Sequence, residues 1–400
     1  MKKIISILGP GIITAALVFG PSKMTITSKM GADYSYSLLW IVIVALFFMG
    51  AYTAMCSRIG ATQDKTLLTL IKEHFNKGIG VAIGIGIFLV ATSFQAGNSI
   101  GVGIAIGEAT GTPMTIWIVT FTVLGIALLF FPSFYKVMEK LMIGLVLVML
   151  ACFIATLFLT DVNFSHFFKG FVPSLPEGSI GLIIAFTASC FSLVGAFYQT
   201  YLIQERKKIS QQNVDIKSSE RGAFTGVAIL GFMSASVLIC AAAVLNPKGI
   251  HVSSAAEMGK ALEPLFGSYA SSLFFVGLFG ASFSSLVGNA TVGGALLGDA
   301  LGFGSSLSSK KVKILISIVM VLGCIVAISF GRLPLELIVL AQSVTIFLVP
   351  FIGISIFVIA NNKKIMGVHA NNVFYKIVGA LGLAVIFVLM FSNVYDMFLK

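Results

Sequence analysis

Charge is scarce in this chain: only 10% of its 400 residues are Asp, Glu, Lys or Arg, while 58% are hydrophobic and the mean hydropathy is +1.03. Water cannot be the main solvent of such a sequence. The longest polar intervals, near 161–178 and 206–221, are too short to bury a core of their own, which excludes a soluble domain. Carboxylates are missing where they would matter most, since an acid at membrane depth is the usual mark of a cation or proton path. Glu108 and Glu336 fall near outer ends of apolar runs, Glu139, Glu205 and Asp299 near inner ends, and the other acids in loops. His74, His166, His251 and His369 also lie in loops or at run ends, which removes the commonest transition-metal ligand from the interior. Cys56, Cys152, Cys190, Cys240 and Cys324 stand singly, with no CxxC pair, and read as small core residues. No nucleophile, base and orienter can be assembled, so an enzyme is excluded and no cofactor is expected.

What the chain does have is apolar runs of membrane-spanning length, about 20 residues each. They fall near 5–32, 36–57, 79–107, 113–132, 138–160, 179–204, 222–245, 265–300, 314–331, 335–360 and 377–397. The expected fold is therefore an all-α membrane protein of about eleven transmembrane helices, one domain over 1–400. The opening MKK lacks a small-residue cleavage site and its apolar stretch continues, so it reads as the first span and not as a secretory signal. The net charge of +11 does not point to nucleic acid, because the basic residues cluster on alternate loops. Arg58, Lys65, Lys72, Lys77, Lys136, Lys140, Arg206, Lys207, Lys208, Lys310, Lys311 and Lys363 share the side of the N-terminus; Lys29, Lys169, Lys248 and Arg332 share the other. That asymmetry predicts a multi-pass inner-membrane protein with a cytoplasmic N-terminus and an external C-terminus.

One charge is left in the middle of a run. Lys23 lies halfway along GPGIITAALVFGPSKMTITSKMG, where Gly20 and Pro21 should interrupt the helix. An ammonium at the bilayer centre costs roughly 2.5–3.5 kcal/mol on insertion scales, so it should face protein or a wet cavity. The half-helix restarting over Ser22, Lys23, Met24 and Thr25 would offer free N–H groups to that gap. A helix N-terminus with a lysine beside it is, by physics, an anion site. The plain alternative is that Lys23 snorkels or neutralises a cluster of buried carbonyls.

The stretch GPGIITAALVFGPSKMTITSKMGADYSYSLLW resembles the first two spans of the Nramp family of proton-coupled divalent-metal transporters, whose pattern runs GPG, DPGN, then a glycine, a tyrosine and LLW. GNSIGVGIAIG, LIQER, SFSSLVGNATVGG and AQSVTIFLVPF extend the resemblance over nearly the whole chain. It implies a LeuT-type architecture: two inverted five-helix repeats over about 5–160 and 179–360, an extra helix over 377–397, and broken first and sixth spans around a midplane site. The departures are at the site. Family DPGN aligns with Gly20, Pro21, Ser22 and Lys23, so the metal-binding aspartate and asparagine become Gly20 and Lys23. In the sixth span the family's methionine, proline and histidine fall on Ser192, Leu193 and Val194, and a second histidine on Gln199. The third-span glutamate associated with proton movement becomes Asn98.

The expected binding residues are thus Lys23, Gly20, Ser22, Met24, Thr25, Asn98, Ser189, Ser192, Gln199 and Gln342, each of the uncharged ones equally readable as helix–helix glue. Ser284 and Ser285 fall where LeuT-type transporters place a coupling sodium ion, although hydroxyls are common on packed helix faces. Glycine runs such as GIGVAIGIG are packing faces, since no strand or Walker lysine accompanies them. Metal transport looks disfavoured beside a fixed lysine, and the expectation is a secondary transporter of a small inorganic anion. Bicarbonate is the first choice, with nitrate, chloride or a short carboxylate fitting almost as well, and sodium is a candidate symported ion. The alternative is the family's own cargo, a divalent ion such as manganese, iron or magnesium; a sensor without transport is a third reading, against which the broken first helix argues.

Overall fold

The computed structural model describes residues 2–131, 134–158, 160, 162–191, 193–210, 215–252, 268–330 and 335–398. Ser192 lies outside them. Among the described residues every regular element is helical. The first apolar run forms α1 (Lys2–Val18) and α2 (Pro21–Tyr34), separated at Phe19 and Gly20. Pro21 opens α2 at a position where its missing N–H removes no helix bond, and Gly20 caps it in extended conformation, so one apolar run becomes two half-helices. Then follow α3 (Leu39–Thr62), the short α4 (Leu67–His74), α5 (Lys77–Thr110), α6 (Met114–Leu129), α7 (Phe134–Phe158) and the short α8 (Phe164–Lys169).

A second broken span comprises α9 (Ile180–Cys190) and α10 (Val194–Ser210). After it come α11 (Ile216–Val244), α12 (Ser268–Ala300), α13 (Lys310–Phe330), α14 (Leu335–Asn361), the one-turn α15 (Lys363–Met366) and α16 (Val373–Phe398). Among the described residues eight helices are long and apolar enough to cross a membrane, or nine if the bent pair at the end of α14 is one span, against the eleven apolar runs of the sequence, and large side chains such as Ile43, Phe47, Leu89, Phe158 and Val388 stand exposed where lipid would cover them.

Between apolar helices in lipid the hydrophobic effect gives no net attraction, so close backbone packing carries association. The crossing of α1 with α11 shows it. A Cβ on Gly11 would meet the Gly222 carbonyl oxygen, and one on Gly226, four residues along, would meet that of Gly11. Around this crossing two groups form: α10 and α11 pack on α3, while α12 packs on α5, α7 and α13. The loops gather at two ends. Lys207 pairs with Asp64, Gln204 with the Gln63 and Lys65 carbonyls, and Arg58 with Glu220 at the end rich in lysine and arginine. At the other end Trp40 donates to the Ser174 carbonyl, Asn246 to that of Ala32, and His251 meets Asp33.

Candidate functional site

Both broken spans point their ends at one cavity of about 570 Å³, counted to its mouth. It is lined by Leu17, Val18, Gly20, Ser22 and Lys23 from the first break, Ser189, Val194 and Gly195 from the second, Val90, Phe94 and Asn98 from α5, Asn289 from α12 and Gln342 from α14. Of the residues named from the sequence, Gly20, Ser22, Lys23, Asn98, Ser189 and Gln342 line this one cavity. Met24 is fully buried in the apolar core, Thr25 donates to the Pro21 carbonyl, and the Gln199 oxygen accepts from Thr14, so these three stand outside the lining.

Two residues of the site escaped sequence reasoning. Asn289 follows Ser285 by one helical turn, a spacing that marks it only once Ser285 is known to face the first break. Cys190, read as a small core residue, lies with its sulfur against the Lys23 ammonium.

Lys23 is 2% exposed, and its ammonium is turned onto α9. It donates to Ser189 Oγ at 3.3 Å, contacts Cys190 Sγ and sits 4.9 Å from the centre of the Phe186 ring. Positions 186, 189 and 190 share one helical face, so a single turn of α9 supplies an acceptor, a soft sulfur and a π surface to the one cation. An ammonium so engaged is not a free anion ligand.

The amides point the same way. The Leu286 carbonyl, which can only accept, receives Gln95 Nε2 at 2.9 Å. Gln95 Oε1 is thereby left to accept from Asn98 Nδ2 at 3.4 Å, which turns Asn98 Oδ1 toward the break. There Oδ1 and Ser285 Oγ fill the space a side chain at position 20 would need: a Cβ on Gly20 would lie 3.2 Å and 2.9 Å from them. Gln342, 4% exposed, lines the cavity, and its Oε1 has no partner. Buried acceptor oxygens without donors call for a cation or a water. Ser284 and Ser285, the expected sodium ligands, donate to the Ala16 and Leu17 carbonyls left open at the end of α1. Among the described residues no three His, Cys, Asp or Glu side chains converge to hold a metal.

The second break differs from the first in having a non-glycine residue, Leu193, in the left-handed region at φ 58°. That conformation costs roughly 1–2 kcal/mol and persists only where the surroundings enforce it. Leu193 is fully buried, which supplies the enforcement.

Two half-helix pairs facing a cavity that holds a lysine and several amides and hydroxyls inside an otherwise apolar bundle define a multi-pass membrane transporter. The family model described as Natural resistance-associated macrophage protein-like matches residues 11–396, and the chain belongs to that family. A relative named divalent metal cation transporter MntH, from Caldanaerobacter subterraneus subsp. tengcongensis, is 24% identical over 95% of this chain and 90% of its own. Among solved structures, a mutant of the Eremococcus coleocola manganese transporter superimposes with a TM-score of 0.80 at 18% identity, covering 99% of this chain and 88% of the other. Mhp1, a nucleobase-cation-symport-1 family transporter in a closed conformation, does so with a TM-score of 0.59 at 13% identity, covering 98% and 94%. The LeuT-type fold is thereby shown. The expected anion cargo, bicarbonate included, is overturned: the matching relative is named for divalent metal cations, and here the lysine is engaged by α9 while acceptor oxygens border the cavity.

Proposed function

We propose that the chain is a secondary transporter that carries a divalent metal ion by alternating access through the cavity between its two broken spans. The observation that carries this reading is the pair of uncharged amides, Asn98 and Gln342, in the cavity lining, the Gln342 oxygen without a partner, in a chain related over nearly its whole length to divalent metal cation transporters. Without a carboxylate, thioether or imidazole the site suits a hard ion that keeps part of its water shell, magnesium or manganese before softer metals. Ser22 and Asn289 would hydrogen-bond such waters. The Lys23 ammonium, held back by α9, lowers affinity for any cation and so favours low-affinity, high-throughput carriage. The lysine-rich end is the cytoplasmic one in this reading, and helices of the regions 5–160 and 179–360 form the two repeats that rock against each other, with 377–397 appended.

Uptake of magnesium, manganese and iron into proteoliposomes tests the reading. Saturable entry of at least one divalent ion is expected; a folded, correctly inserted protein that moves none of them above empty liposomes would overturn it.

A further inference from the structure

A second, smaller pocket, about 300 Å³ with its open mouth included, lies at the lysine-rich end, against Tyr198, Tyr201, Leu202 and Glu205 of α10. Those positions continue the stripe that begins with Val194 and Gly195 at the central cavity, each step being three or four residues along one helical face. Where this stripe reaches the end cavity Tyr198 and Tyr201 stack, their ring centroids 6.1 Å apart and their planes 14° from parallel. One face of α10 therefore joins a central cavity to an end cavity across an aromatic plug.

The plug is fastened from the other packing group. The Tyr201 hydroxyl donates to Asp299 Oδ2 of α12 at 2.6 Å and accepts from the Leu68 backbone N–H of α4 at 3.3 Å, so three elements meet at one oxygen. Asp299 is 6% exposed, deep enough for its carboxylate to need that donor. Lys72 of α4 donates to the Asp299 and Ala300 carbonyls at 2.7 and 3.0 Å, fixing the end of α12 beside it. Since α10 packs on α3 and α12 on α5, the Tyr201–Asp299 bond crosses between two bodies.

We propose that the face of α10 from Val194 to Glu205 is the release path at the lysine-rich end, and that the Tyr201–Asp299 bond is the latch that holds it shut. The proposal rests on the transporter reading above for what passes, but not for whether the path opens. Breaking the bond raises the population open at that end, by about ten-fold or more for a buried hydrogen bond to a charged group.

The test is labelling of Val194→Cys by a charged, membrane-impermeant methanethiosulfonate applied to each face of membrane vesicles, against the same protein without the added cysteine. Tyr201→Phe and Asp299→Ala should each speed labelling from the lysine-rich face about ten-fold or more and slow it from the other. Both together should do no more than either alone, because they remove one bond. Asp299→Asn, which still accepts a hydrogen bond, should stay near the parent rate. If Asp299→Ala fails to insert, the nearly isosteric Tyr201→Phe carries the test. Unchanged labelling in a folded Tyr201→Phe protein would overturn the latch, as would an equal rise from both faces. No cargo is present in the assay, so its failure leaves metal uptake standing, and failed metal uptake leaves the latch standing.

Discussion

Lys23 commits its ammonium to Ser189, Cys190 and Phe186, all on one turn of α9, and so ties the second half of the first span to the first half of the sixth. A divalent ion roughly 6 Å away would meet repulsion on the order of a few kcal/mol at an effective dielectric constant of ~20. Lys23→Met should therefore tighten divalent-metal uptake, lowering the half-saturating concentration about ten-fold or more. An unchanged or raised value in proteoliposomes would separate the lysine from the cargo. Gly20 carries a different constraint: a Cβ there presses on Ser285 Oγ, which can yield only by leaving the Ala16 and Leu17 carbonyls. Gly20→Ala should cost about 1 kcal/mol in unfolding measurements, and less in a Ser285→Ala background, where the hydroxyl is gone. Additivity of the two changes would refute that contact. Of this site, the GPSK segment was legible because glycine, proline and a mid-run charge are local signals. The direction of the ammonium was not, since Cys190 is 167 residues away, and a lysine read without its partners looks like an anion ligand.

The two breaks differ as elements in how they are written. The first is spelled by Gly20 and Pro21, and any reading of backbone chemistry finds it. The second falls within FSLV, which holds neither glycine nor proline, so only the family resemblance announced it. Its cause is tertiary: a fully buried Leu193 is held at φ 58° because its side chain has a place there. Substitutions at this position should reverse a common order. Leu193→Ala and Leu193→Gly both lose the buried side chain, roughly 2–5 kcal/mol, but glycine alone escapes the left-handed penalty. The glycine variant should unfold about 1 kcal/mol later than the alanine variant on heating in detergent, opposite to their order within a helix. A more stable alanine variant would mean that the left-handed turn carries no strain.

For the whole molecule, the alternation of basic and charge-poor loops along the sequence agrees with how the chain assembles, since the loops bearing Arg58, Lys72, Lys207 and Lys363 converge on one end. What alternation cannot reveal is which of these charges hold helices together. Arg58 does. Its Nε and Nη2 both reach Glu220 Oε1 of α11 at 2.7 Å, its Nη1 donates to Asn371 at 3.2 Å, and its guanidinium lies 4.4 Å from the Tyr375 ring centre at the start of α16. With side chains 10% and 22% exposed, the Arg58–Glu220 pair joins α3 and α11, and its remaining contacts reach the last helix. Loss of Arg58 alone strands a partly desolvated carboxylate, a cost of up to about 3–5 kcal/mol for a fully buried pair and less here because Glu220 keeps some water. Arg58→Met should therefore lower the thermal midpoint in detergent markedly. Arg58→Met with Glu220→Gln should recover part of that loss, because the second change removes the unpaired charge. A double variant no more stable than Arg58→Met would show that Arg58 acts through Asn371 and Tyr375 rather than through its carboxylate partner.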